Sequence, residues 1–221
     1  MKKFFVFCIT MTMVCTLINV NAQVNLSNGL IAWYPFNGNA NDSSGNGHNG
    51  MVNNATPANN RFGKSNGAYY CNGDKKAISV LGFNQYNTNG ITVSMWINTK
   101  KTTSAVQVIA GAIGSIYLNV HKIGSYTADF DNDLTNHTVA NTSKCVVTSG
   151  KWVNITATCD GTTTRLYSNG VLERSFPEEI SFRGSDLIIG NKAYEGYIDD
   201  VRIYSRAISA DEVAAIYNLT Y

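Results

Sequence analysis

I-T-V-S-M-W-I-N, residues 91–98, is a chain segment with two unlike sides. Extended backbone sends successive side chains to opposite faces, so Ile91, Val93, Met95 and Ile97 share one face while Thr92, Ser94 and Trp96 share the other. The segment K-W-V-N-I-T-A-T-C at 151–159 repeats the pattern, with Val153, Ile155, Ala157 and Cys159 on one side. Two sheets that bury such faces against each other make a sandwich.

The rest of the chain is written in the same style. Short runs rich in Val, Ile, Thr and Tyr recur between Asn- and Gly-rich turns, and only 3 prolines occur in 221 residues. Strands are predicted at 30–36, 67–72, 77–81, 115–121, 164–168, 170–176, 186–190 and 197–204, besides the two quoted. Asn169-Gly170 marks a hairpin, because both residues tolerate the positive φ of a type I′ turn. One helix is predicted at the end, where Ser209 and Glu212 form an S-x-x-E capping box ahead of Val213, Ile216 and Tyr217. With no linker, repeat or low-complexity tract, residues 23–221 read as one all-β domain: an antiparallel two-sheet sandwich with a short C-terminal helix.

Residues 1–22 read as a secretory signal peptide rather than as fold. Lys2 and Lys3 precede an apolar run from Phe4 to Ile18, and small and polar residues lead to Ala22. Of the 17 Lys and Arg, Lys2 and Lys3 leave with it, and the remainder equal the 15 Asp and Glu in number. A neutral mature chain has no basic field to draw in nucleic acid or an anionic membrane. Cys71, Cys145 and Cys159 stay. Cys71 reads as a small buried hydrophobe, and Cys145 and Cys159 flank a turn and either pair or stay as thiols. None of His48, His121 and His137 lies in a nucleophile motif with a cysteine.

Three blocks carry a family resemblance: GLIAWYPFNGNANDSSGNGHNGMV (29–52), RFGKSNGAYYCNGDKKAISV (61–80) and EGYIDDVRIYSRAISADEVAAIYN (195–218). Together with WVNITATCDGTTTRLYSNG (152–170), they resemble the laminin-G-like, concanavalin A-like jelly-roll domains of exported bacterial proteins. The resemblance implies a jelly roll with its first and last strands close together, a calcium ion as in many members, and binding of glycans or protein surfaces. Where such domains usually carry an acidic D-G-x-D-D stretch, this chain has Asn72-Gly73-Asp74-Lys75-Lys76.

Asp42 and Asn46 in the loop D-S-S-G-N-G-H-N-G (42–50), with Asp199 on the last strand, are the candidate calcium ligands. Calcium takes six to eight oxygens from carboxylates, amides and carbonyls. Strict alternation places Asp199 on the side of Val201 and Ile203, where a buried carboxylate needs a partner. The alternative is that Asp42 caps loop amides and Asp199 meets an arginine or backbone N–H groups. Asp200, beside Arg202, reads as a solvated ion pair. The segment T-A-D-F-D-N-D-L-T-N-H (127–137) begins like an EF-hand but has Leu134 and Ala140 where Gly and Glu are needed. It reads as a rim loop displaying Tyr126, Phe130 and Asp131. Trp96 joins these as a candidate sugar-contacting residue on the outer face, whereas Trp33 and Trp152 are assigned to the fold.

Catalysis finds no support in the motifs. Related sandwich hydrolases cluster carboxylates on one strand, as in E-x-D-x-x-E, at the spacing glycoside hydrolysis requires. Glu173, Glu178, Glu179 and Glu195 have no such arrangement, and no G-x-S-x-G, H-E-x-x-H or P-loop pattern occurs. The expected role is a secreted, non-catalytic binding module, periplasmic or extracellular, calcium-stabilised and recognising a glycan or glycoconjugate. A cell-surface adhesion domain that meets another protein is the alternative, and a carbohydrate-active enzyme is a further one.

Overall fold

The computed structural model describes residues 24–73, 77–83, 87–100, 107–112, 116–120, 125–129, 140–141, 147–177, 182–183, 186–191 and 193–220. The leader at 1–22, Asp74 to Lys76, His121, Phe130, Asp131, His137 and Cys145 lie outside the described residues.

Two antiparallel sheets form the sandwich. The larger runs β14 (Val171–Pro177), β13 (Thr163–Ser168), β12 (Val153–Cys159), β7 (Ile91–Thr99), β17 (Glu195–Tyr204), β4 (Ala68–Asn72), β3 (Ala55–Ala58). β1 (Leu30–Tyr34) also pairs with β17, so the first and last strands are neighbours. The second sheet runs β11 (Ala140–Asn141), β10 (Tyr126–Asp129), β9 (Ile116–Val120), β8 (Gln107–Ala112), β16 (Leu187–Ile189), β5 (Ile78–Val80), β2 (Gly50–Val52). β6 (Asn87–Thr88) and β15 (Phe182–Arg183) form a separate small pair.

The inner face of the larger sheet is the one its alternation predicts. Ile91, Met95, Ile97, Ile155, Ala157 and Cys159 are fully buried and join the core with Ile78, Ile109, Leu118 and Ile189 of the facing sheet. The Cys71 thiol lies in the same core, and burial pushes its pKa up to about 12, so it is an inert thiol rather than a nucleophile.

Alternation breaks in the last strand, where it bears on the site. Asp199 stands opposite Trp96 and Arg202 opposite Ser94, so three steps along β17 match two along β7. The extra residue is a bulge, with Asp200 at φ 47°. Ile198 and Ile203 still pair with the core residues Ile97 and Val93. Asp199, however, joins Trp96 on the outer face, which corrects its expected place beside Val201 and Ile203.

That outer face is partly covered. Helix α1 (Ala210–Tyr217) starts at Ser209, and its capping box is complete: Ser209 accepts from the Glu212 N–H and Glu212 accepts from the Ser209 N–H. Val213 and Ile216 pack with Tyr167 and Tyr204 of the sheet and with Ile208 of the connection that precedes the helix, and Tyr217 stacks on Trp96 with ring centroids 5.5 Å apart. Thr92, Ser94 and Thr156 are therefore buried although they point away from the core. Their hydroxyls find partners, as buried polar groups must: Thr156 donates to Ser94 at 2.7 Å and Thr92 donates to the Arg206 carbonyl at 2.8 Å.

Candidate functional site

The loop after β1 is built around Asp42. One carboxylate oxygen accepts from the N–H groups of Trp33 at 3.0 Å and Ser44 at 2.8 Å. The other accepts from the Ser44 hydroxyl at 2.9 Å and the His48 N–H at 3.0 Å. Burial pushes this carboxyl's pKa up, but the four hydrogen bonds outweigh it and hold the group below its ordinary 3.8. Asn46 turns its amide N–H groups onto the carbonyls of Leu30 and Ile31, each at 2.9 Å.

Asp199 sits in a different setting. Its carboxylate accepts from Arg61 at 2.5 Å, with both side chains almost wholly out of water. Asp200 accepts from the Trp33 indole N–H at 2.6 Å and from Arg202 at 3.2 Å, and Arg61 lies 3.7 Å away. Asp200 is thus a buried member of an ion network rather than a solvated one. Trp33 joins the two regions, giving its backbone N–H to Asp42 and its indole N–H to Asp200. Burial first, then the neighbouring Asp200 charge, raises Asp199 to about 6 despite Arg61.

This donor set does not fit a calcium ion. The lone pairs of Asp42 are taken by donors, Asn46 presents N–H groups to carbonyls, and Asp199 faces a guanidinium. Among the described residues, no three His, Cys, Asp or Glu side chains converge as a metal group.

Of the expected ligand-contacting residues, Tyr126 is placed differently. Tyr126 lies on β10, fully buried, and its hydroxyl donates to the backbone carbonyl of Tyr167 in the opposite sheet, with the Thr156 carbonyl 3.3 Å away. It spans the core, so it displays nothing at a rim. The Trp96 ring is on the outer face but is engaged by Tyr217 and by the Arg61 guanidinium, 4.7 Å from its centroid. Phe130 and Asp131 fall outside the described residues.

At the end of the outer face away from the helix, a different group of side chains comes together. Tyr70 pairs with Tyr197, Tyr197 pairs with Asn98, and the β12–β7 register, continued by one residue, sets Trp152 opposite Asn98. Four side chains from four adjacent chain segments therefore form one row. Tyr197 is 5.2 Å from the Tyr70 ring and 6.3 Å from the Trp152 ring, centroid to centroid. Trp152, Tyr197 and Asn98 line an open cavity of about 340 Å³, closed on one side by Ala58, Asn59 and Asn60.

Asn60 shapes that wall. Its side-chain oxygen accepts the N–H groups of Phe62 and Lys64, each at 3.0 Å. Gly67 makes room for it, since a Cβ there would come within 2.9 Å of the Asn60 amide. The Asn98 Oδ1 is buried and accepts no hydrogen bond from any described residue. An aromatic face beside amide groups is suited to a ring that is apolar on one side and carries hydroxyls at its edge. Trp152 had a sequence signal: it shares parity with Asn154 and Thr156, the polar side of its strand. Its pairing with Tyr197 had none, because it depends on which strands are neighbours.

A model of the concanavalin A-like lectin/glucanases superfamily matches residues 72–214. Domain 4 of AbnA, a GH43 extracellular arabinanase from Geobacillus stearothermophilus solved with arabinotriose, is similar at 20% identity with a TM-score of 0.67, over 86% of this chain and 98% of that one. The binding domain of Paraclostridial Mosquitocidal Protein 1 is similar at 19% identity and TM-score 0.72, over 88% of this chain and 53% of its own. The botulinum neurotoxin serotype D ligand binding domain, solved with N-acetylneuraminic acid, matches at 18% identity and TM-score 0.69, over 86% and 51%. This chain thus spans about half the length of the two toxin binding domains and nearly all of the arabinanase domain. At these identities the likeness is one of fold. No curated protein matches the chain.

Proposed function

The chain belongs to the concanavalin A-like lectin/glucanases superfamily, and on that premise we propose that it is an exported, non-catalytic module that binds carbohydrate at the Trp152–Tyr197 corner. The observation that carries this reading is the open row of Tyr70, Tyr197, Asn98 and Trp152, the part of the outer face that the helix leaves uncovered. The similar structures solved with arabinotriose and with N-acetylneuraminic acid support it at the level of fold.

A binding role is favoured over hydrolysis by the state of Asp42, Asp199 and Asp200. Asp42 is saturated by donors, and Asp199 and Asp200 share two arginines, so none stands opposite a second carboxyl across an open site as glycoside hydrolysis requires. Export rests on the sequence of residues 1–22. Among the described residues no helix is long and apolar enough to cross a membrane. Calcium is a separate proposal that rests on the loop at 42–50 and the family resemblance, and the filled lone pairs of Asp42 weigh against it.

The test is retention of the mature protein on a panel of insoluble and immobilised polysaccharides, with release of reducing ends measured in parallel. Retention that is lost in Trp152→Ala, without sugar release, is the expected result. Release of oligosaccharides by pure protein would replace the proposal with an enzyme, and absence of both would favour a protein partner.

A further inference from the structure

The corner just described has a cation on its edge that the carbohydrate reading does not use. Lys100 follows β7 and is exposed, and its ammonium lies 4.9 Å from the centroid of the Tyr70 ring and 5.9 Å from that of Tyr197. Its backbone is fixed on both sides: its N–H donates to the Glu195 carbonyl at 2.9 Å, and its carbonyl accepts from the Ser149 hydroxyl at 2.5 Å. Among the described residues no carboxylate pairs with its ammonium. Glu195, the acid at this corner, instead accepts from the Tyr70 hydroxyl at 3.2 Å.

We infer that the corner selects a sugar unit bearing a carboxylate, of the uronic class. This rests on the carbohydrate reading and deepens it. The apolar face of the ring lies on Trp152 and Tyr197, its hydroxyls face the amide-lined wall of Asn59 and Asn60, and the carboxylate reaches Lys100 at the end of the row. Each position answers a feature of the site. A flat aromatic pair takes a ring face. Amide side chains on the cavity wall are suited to hydroxyls at the ring edge. An ammonium with no acid partner, held near aromatic rings on a fixed backbone, has little to give up on meeting an anion. A neutral sugar would satisfy the first two positions and leave the third unused.

The experiment uses the mature protein with polygalacturonate and alginate as anionic probes, and arabinan, xylan and β-glucan as neutral ones. Dissociation constants are measured by affinity electrophoresis in low and high salt, together with melting temperatures. Expected are tighter binding to the uronates, weakening of that binding with salt, and a roughly two- to tenfold loss in Lys100→Gln confined to the uronates. Trp152→Ala should abolish binding to both classes, and Arg174→Gln, on the far edge strand of the same sheet, should change neither. Lys100→Gln changes only an exposed side chain, so its melting temperature should match the wild type and its binding can be compared directly. Equal affinity for neutral and anionic probes, or loss in Arg174→Gln as large as in Lys100→Gln, overturns the inference and leaves the carbohydrate reading intact. Binding to neither class overturns both.

Discussion

Asp42 and Asp199 are both acids with low exposure, yet acid should act on them with opposite sign. Asp42 serves three backbone N–H groups and a hydroxyl, so Asp42→Ala should cost about 2 kcal/mol, or a melting temperature lower by roughly 4–8 °C. Because its folded pKa lies below 3.8, its contribution is present above that pH and is lost as pH falls through the folded value. The gap between wild type and Asp42→Ala in thermal melts should therefore narrow below about pH 4. Asp199 is raised from 3.8 to about 6, so the folded state holds its proton more tightly than the unfolded one. Its stabilising term is complete below 3.8 and is lost as pH rises through about 6, a change of up to about 3 kcal/mol from the shift. Asp199→Asn should flatten the stability profile between about pH 4 and 6. A profile as steep as the wild type's would mean that Arg61 holds the carboxylate ionised throughout.

The C-terminal helix and the β13–β14 hairpin show how far local sequence rules carried. Ser209→Ala removes the cap seen at the helix start and should cost about 1 kcal/mol by denaturant melt, with Ser209→Asp restoring most of it. Gly170 has φ +80°, and a Cβ there would lie 3.2 Å from Tyr217, so Gly170→Ala should cost more than 1 kcal/mol by straining the turn and pressing on the helix. Both elements were legible because capping boxes and Asn-Gly turns are decided within four residues. The last strand was read correctly as a strand with Val201 and Ile203 in the core, and wrongly at Asp199 and Asp200. A bulge depends on the partner strand, and nothing in Y-I-D-D-V-R-I-Y announces that Asp200 will be the surplus residue. Short pieces such as β2 and β3, with exposed side chains and little alternation, gave no periodic signal.

At the scale of the whole molecule, the helix divides the outer face of the larger sheet into a closed end around Trp96 and an open end around Trp152. Trp152→Ala should therefore abolish glycan retention while lowering the melting temperature little, because the ring is only half-buried. Trp96→Ala should reverse the pattern, lowering the melting temperature more than Trp152→Ala does through lost contacts with Tyr217 and Arg61, while leaving retention at Trp152 measurable. Melting curves in calcium and in chelator should coincide if Asp42 is a loop clasp, as its donors favour. A stabilisation of several degrees by calcium, absent in Asp42→Ala, would show that the loop exchanges those donors for the ion.

The sequence by itself determined the two-sheet sandwich, its core faces, the hairpin turn, the capped helix and the family, because each rests on alternation, a few adjacent residues or long contiguous blocks. Tertiary structure decided which side chains are free to meet a ligand. Tyr126 and Trp96 were spent on the core and on the helix contact, Asp42 and Asp199 on amides and arginines, and Trp152 and Tyr197 were left open. The physical reason is that availability is a property of neighbours: strands distant in sequence set each row, and the packing of one short helix determines which end of that row stays exposed to solvent.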